Sequence, residues 1–485
     1  MYMNNYLDIF KEICAISRPS HHEEAMADYL CKFAERRGLS HSRSANNCVV
    51  IRKAASPGYE DREPLVILNH MDMVCVAEAG YDTPGSVTPI EYEENGERWM
   101  RANHTSLGAD NGIGLAMALA ILDDDSLKHP ALEILTTTCE EDDMSGAANL
   151  PEDFIKGRRV LNLDSEAYDE ITVGSAGAHI QVARLPYRRI AMPAGYVAYE
   201  VEVNWGRGGH SGVDINSGRA NAIKILANLL LVAIRQMNIK IYLVSFEGGQ
   251  AYSAIPGEAA AKVVIPREDI EVFENLVMQC HEAVMGQYSQ TDPKIEVTCE
   301  PSVWHSSVIN EEGTHILLAC INGIPTGPVE MRSDVEAQEN NASCVLTSNN
   351  IGLVKQGKES FTVSSHTRSF SNDRLNGLAR NIEQIFTLTG AEVETVMHVG
   401  AWQEDVEHPL IKLTMDVFDE VLHFRPRPVE MHFALEAGYF TERFPGIHIA
   451  SIGPRIINPH STTEHVSLTT ADNIWQVVKK LLAKA

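Results

Sequence analysis

ALEILTTTCEEDDMSG, residues 131–146, holds the key to this chain. Its first seven residues are short and apolar, with Pro130 on one side and charge soon after on the other, so they read as a buried strand. Glu140, Glu141, Asp142 and Asp143 then follow in an unbroken row. Adjacent like charges repel, and holding them near a core adds a desolvation cost. Two readings fit: a solvated turn, the usual fate of a charge run, or carboxylates gathered around a cation.

Outward from this strand, the flanking segments alternate between strand and helix patterns. NCVVIRKA, PLVILNHMDMV and RVLNLDSE read as strands, and LGADNGIGLAMALAIL opens with Gly and Asp and continues as a helix. SHHEEAMADYLCKFAERRGL has a capping box, Ser20 with Glu23 three residues on, and helical periodicity up to Gly38. Such alternation predicts a mixed or parallel α/β sheet. From about Leu185 the texture changes to alternating strands and amphipathic helices, in an order that occurs twice: VAYEVEVNW onward, and again from NNIGLVKQGKESFTVSSHTRS. After Ala401 the α/β texture returns. The expected organisation is a first catalytic part over 1–186, an inserted lid of duplicated strand-helix-strand modules over 187–398, and a second catalytic part over 399–485.

With 485 residues, two domains or more are expected. Forty Lys and Arg against 66 Asp and Glu give a net charge of −26, which repels nucleic acid and anionic membrane. No stretch approaches the roughly 20 apolar residues that span a bilayer, and the N-terminal residues lack a signal-peptide core. Nine scattered cysteines without a CxxC pair predict reduced thiols in a cytoplasmic protein.

The polar residues at strand ends form an ordered set. PLVILNHMD ends on His70 and Asp72; Asp110 sits in the glycine-rich turn LGADNGIG; LNLD ends on Asp164; and His460 follows the strand HIASIGP in PRIINPHSTTEH. Ligands of open α/β sheets bind beyond the carboxyl ends of the strands, and His, Asp and Glu converging there suit zinc or a similar divalent ion. Taken singly, each has a plain alternative: a capping Asp beside a half-buried His, a turn Asp, or a His before a helix cap.

These residues resemble peptidase family M20, nearest to its aminoacyl-histidine (Xaa-His) and cytosolic non-specific dipeptidases. HMDMV, LGADNGIG, TTCEEDDMSGA, LNLDSE, GGHSGVDINSGRANAI, GAWQ, ALEAG and SIGP…PHS carry the match almost end to end. The resemblance implies a zinc-exopeptidase-like α/β catalytic domain, its mixed sheet flanked by helices, interrupted by an α+β lid of two ferredoxin-like repeats. It implies two divalent cations, Zn²⁺ favoured over Mn²⁺ or Co²⁺. His70, Asp110 and Asp164 would hold one and Asp110, Glu141 and His460 the other, with a cis peptide after Asp110. Asp72 would accept the second ring N–H of His70, and Glu140 would be the general base. In the lid, His210 would meet the carbonyl oxygen as it becomes an oxyanion, and Arg368 the substrate's terminal carboxylate. Asn221 would help hold the substrate or cap its own helix, and Glu436 would receive the free amine. The implied protein is a homodimer or monomer acting on small peptides, with the duplicated lid placing His210 in cis.

The chain departs from the family pattern at Asp142, Asp143, Cys75, Ser253, Ala434 and Ala437. The two aspartates are expected to be solvated or to cap the turn, and Cys75 and Cys139 to serve in packing. Two other functions compete with dipeptide hydrolysis: deacylation of N-acyl amino acids, which needs no amine-binding acid, and non-catalytic metal or peptide binding, which needs no general base.

Overall fold

The computed structural model describes residues 6–83, 85–333 and 344–485. The chain divides into two units, one of residues 1–174, 402–430 and 436–485, the other of residues 175–401 and 431–435.

The first unit is built on a nine-stranded sheet. Its order is Ser40–Arg43, Val49–Lys53, Leu132–Thr137, Leu65–His70, Arg159–Asn162, His448–Ser451, Glu170–Ser175 and Trp402–Gln403, with Arg427–Met431 paired to Glu170–Ser175. The four strands from Leu132–Thr137 to His448–Ser451 are mutually parallel. Their register pairs His70 with Thr137, Leu68 with Asn162 and Asn162 with Ser451, so their carboxyl ends finish nearly level. Every residue of Leu65–His70 and Leu132–Thr137 is buried. Both faces of a parallel sheet are covered, which explains why these strands read as continuous apolar runs. The helix Ala109–Asp123 is buried on all sides from Ala109 to Leu122 and packs on the helix Tyr6–Cys14.

The expected capping box does not form. The helix begins at Glu24, Glu23 makes no cap hydrogen bond, and Ser20 donates instead to Asp72 at 2.8 Å. Glu23 accepts from the backbone N–H of Cys139 at 2.9 Å and of His21 at 3.1 Å. Long-range partners replace the local cap, with Glu23 satisfying the backbone N–H of buried Cys139.

The second unit contains two strand-helix-strand-strand-helix-strand modules. In one, Tyr196–Asn204, Ala222–Arg235, Tyr242–Gly248, Ala259–Pro266, Ile270–Gln287 and Glu296–Ser302 follow in sequence. Its strands lie side by side as fourth, first, third, second. In the other, Gly177–Pro186, Glu311–Gly323, Val345–Asn350, Ser360–Ser369, Asn372–Leu388 and Glu392–Val399 repeat that plan and that strand order. The short strand Val354–Gln356 joins them into one ten-stranded sheet. The repeat is ferredoxin-like and nested: the first module is inserted after the opening strand of the second. Nesting moves the unit boundary. Gly177–Pro186 pairs along its whole length with Ser360–Ser369, so the second unit starts at Ser175 rather than 187. The chain returns to the first unit at Trp402 rather than 399.

Candidate active site

The level strand ends deliver the expected ligands to one place. His70 closes its strand, and Asp164 lies two residues past Asn162. Asp110 sits at the start of the buried helix, and the Asp110–Asn111 peptide is cis. His460 occupies the connection between the strands Ile456–Ile457 and His465–Ser467 at φ 59°. His70 Nε2 lies 3.2 Å from Asp110 Oδ1 and 3.2 Å from Asp164 Oδ1. His460 Nε2 lies 3.1 Å from Asp110 Oδ2 and 2.7 Å from Glu141 Oε2. Asp110 thus turns one carboxylate oxygen to each histidine, the disposition of a bridging ligand.

Adjacent glutamates reach this space because the backbone turns sharply before them. Cys139 adopts φ 56°, a left-handed conformation uncommon for a residue with a Cβ. Asp72 then accepts the backbone N–H of Glu140 at 3.1 Å and of Glu141 at 3.2 Å. Its distance to His70 Nδ1 is 3.5 Å, so orienting the two glutamates is its closer engagement. Asp142 pairs with His21 at 2.7 Å, and Asp143 caps the N–H of Ser145 at 2.8 Å, both exposed. Cys75 packs against the core, but Cys139 Sγ makes polar contacts with Glu23 at 3.3 Å and His21 at 3.4 Å, unlike a plain packing residue.

Three supporting residues escaped the sequence reading. Arg18, buried, donates to the carbonyls of Met71 at 3.1 Å and Asp72 at 2.8 Å. Glu464, also buried, accepts the N–H groups of Leu107, Gly108 and Ala109 at 2.8–2.9 Å and so fixes the turn before Asp110. Gly108 has φ 70°, and a Cβ there would fall 2.5 Å from Arg18 Nη2; glycine is required on both counts. Glu166 is the third. It shares space with Asp110 and His460, a ligand atom from each lying within 4.8 Å of the others.

The acids are crowded where water cannot screen them. Burial pushes Glu140 well above its ordinary value, Glu141 up to about 7, and Glu166 and Glu436 up to about 8. Burial alone would raise Asp110 too, but His460 and His70 hold it below the usual carboxylate range. Burial opposes charge on His460, yet Asp110 and Glu141 carry it up to about 11. Glu141 Oε1 and both oxygens of Glu436 are buried without hydrogen-bond partners. An imidazole and oxygen donor set with orphaned carboxylate oxygens suits divalent cations, so the residues present fit the expected metals.

His210, Arg368 and Asn221 belong to the second unit. His210 Nδ1 accepts the N–H of Gly212 at 3.2 Å and of Val213 at 3.1 Å, which leaves its proton on Nε2. Burial and Arg368 lower it to about 4. Arg368 is buried, donates to Ser211 Oγ at 3.2 Å, and has no carboxylate partner among the described residues. Its Nε has no hydrogen-bond partner. Asn221 caps its helix by accepting from Lys224 N at 3.1 Å and donates to Ile351 O at 3.0 Å.

The same arrangement of chain is found in known proteins. The model of peptidase family M20/M25/M40 matches residues 66–484. The cytosol non-specific dipeptidase of Escherichia coli is 31% identical over 477 residues, covering 98% of this chain and 96% of the relative. The crystal structure of an aminoacylhistidine dipeptidase from Vibrio alginolyticus, 31% identical, superposes with a TM-score of 0.83 over 99% of this chain and 96% of that one. A tripeptidase from Staphylococcus aureus shares the fold at 13% identity, with a TM-score of 0.56 over 100% of this chain and 98% of that one. The chain belongs to peptidase family M20/M25/M40.

Proposed function

We propose that this protein is a di-metal dipeptidase that hydrolyses unblocked dipeptides, Xaa-His among them. The observation that carries the reading is Asp110 set between two histidines, with Glu140 facing the charges of His70 and Asp164 and its backbone N–H held by Asp72. His70, Asp110 and Asp164 would hold one divalent cation and Asp110, Glu141 and His460 the other. When bound, such ions polarise the scissile carbonyl and make water a stronger acid; Zn²⁺ suits the donors best, with Mn²⁺ and Co²⁺ as alternatives.

Glu140 takes the proton of the attacking water and returns it to the leaving amine, a role worth about 10²–10⁴-fold in rate. Glu436 receives the substrate's ammonium, which would satisfy its two orphaned oxygens. His210 donates from Nε2 to the carbonyl oxygen as negative charge develops there, supported by its fixed tautomer. Arg368 binds the terminal carboxylate; an uncompensated buried guanidinium supports that assignment, because a bidentate anion would supply its missing partner. Asn221 is accounted for as a helix cap, and a further part in holding substrate rests on the family resemblance alone.

Hydrolysis of a free dipeptide, its N-acetyl derivative and a tripeptide by the metal-reconstituted protein tests the reading. The free dipeptide is expected to be preferred. Equal or faster cleavage of the N-acyl compound would favour a deacylase and remove the role of Glu436.

A further inference from the structure

Glu166 has no part in the mechanism so far, yet its position is tightly specified. Its backbone carbonyl accepts the N–H of Ile456 at 3.0 Å, on the segment that leads to His460. One residue earlier the two segments press together: a Cβ on Gly453 would fall 1.7 Å from the carbonyl oxygen of Ser165. The Glu166 carboxylate is therefore carried to His460 by two backbone constraints. One ligand atom from each of Asp110, Glu166 and His460 lies within 4.8 Å of the others. That is close to the spread of donors around one cation with bonds of roughly 2.0–2.2 Å. The carboxylate makes no hydrogen bond or ion pair among the described residues. Ionising this carboxyl beside Asp110, Asp164 and Glu141 is costly unless a cation joins it.

We propose that Glu166 is a further carboxylate ligand of the cation held by Asp110, Glu141 and His460. This inference rests on the two-cation reading above. It makes the centre asymmetric: the His70 side has one imidazole and two carboxylates, the His460 side one imidazole and three. The oxygen-rich side favours the harder ion, Mn²⁺, more than its neighbour does.

The test uses the full chain, stripped of metal and titrated separately with Mn²⁺ and Zn²⁺, with bound metal counted by mass spectrometry after gel filtration. The parent protein is expected to take two equivalents. In Glu166→Gln one equivalent keeps its affinity and the other weakens at least about tenfold, more for Mn²⁺ than for Zn²⁺. The metal-free variant is expected to melt no lower than the parent, since no hydrogen bond or ion pair is lost. Glu166→Asp, which keeps the charge but shortens its reach, is expected to weaken the same equivalent and supplies the reading should the glutamine variant not fold. Two equivalents bound with parental affinity in both variants would overturn the role of Glu166 alone. Fewer than two equivalents in the parent would overturn the two-cation reading and this inference with it.

Discussion

Among individual residues, Asp72 and Arg368 lead to contrasting expectations. Asp72 accepts from Glu140 N, Glu141 N and Ser20 Oγ, so Asp72→Ala leaves two backbone donors without partners and frees both glutamates. Metal affinity is expected to fall about 10–100-fold, the usual loss for a group that orients ligands, as measured by competition with a chelator. Arg368 is buried with no carboxylate partner among the described residues, and replacing a buried charge with an apolar side chain of similar volume is often neutral or stabilising. Arg368→Met is therefore expected to raise KM for dipeptides at least about tenfold without lowering the melting temperature. A lower melting temperature with unchanged KM would make Arg368 structural. Of the proposed metal ligands, His70, Asp110 and Asp164 were legible because they stand at or just past a strand end or at a helix start in an apolar context. Glu23, Glu464 and Arg18 were not, because they act on backbone groups of residues distant in sequence, Cys139, Gly108 and Met71 among them. Local patterning carries no trace of such partners.

At the level of elements, the site depends on where strands stop and helices start. Thr137 ends its strand, and Cys139 turns the chain through a left-handed conformation before Glu140. Neighbours on extended chain face opposite ways, so aiming both glutamates at one site takes such a turn, and no residue pattern marks a cysteine as its position. The capping box at Ser20 was misread for a related reason: both side chains satisfy tertiary partners with stronger need. Asn221 allows the two roles assigned to it to be separated. As the cap of Ala222–Arg235, its replacement by Ala is expected to cost about 0.5–2 kcal/mol of stability. If kcat/KM for dipeptides stays at the parental value, its place in substrate binding is withdrawn.

Across the whole molecule, the α/β unit and the inserted second unit were both visible in the change of texture near Leu185. The nesting of the two modules was not. The strand Gly177–Pro186 finds its partner Ser360–Ser369 only after an entire module has intervened, and pairing at such separation leaves no periodic signal. The second unit also sets an acid limit. Burial lowers His210 and His179 to about 4 and His432 to about 3, the latter bonded to Ser348 at 2.8 Å. Unfolded, each titrates near its ordinary value of about 6.5. Between that pH and about 3–4 these three positions bind more protons in the unfolded chain, so the stability they contribute is lost as pH drops through this window. The buried carboxylates of the first unit act in the opposite sense over this range, so the check is a difference: the melting temperature of His432→Gln is expected to gain on the parent's as pH falls from 7 to 4.

The central claim is that Glu140 moves protons while its neighbour Glu141 holds metal. Single-turnover hydrolysis of an unblocked dipeptide by metal-loaded Glu140→Gln, with bound metal counted in the same sample, tests it most directly. The account predicts a rate lower by about 10²–10⁴-fold with both metal equivalents retained. Parental turnover in that variant would contradict it.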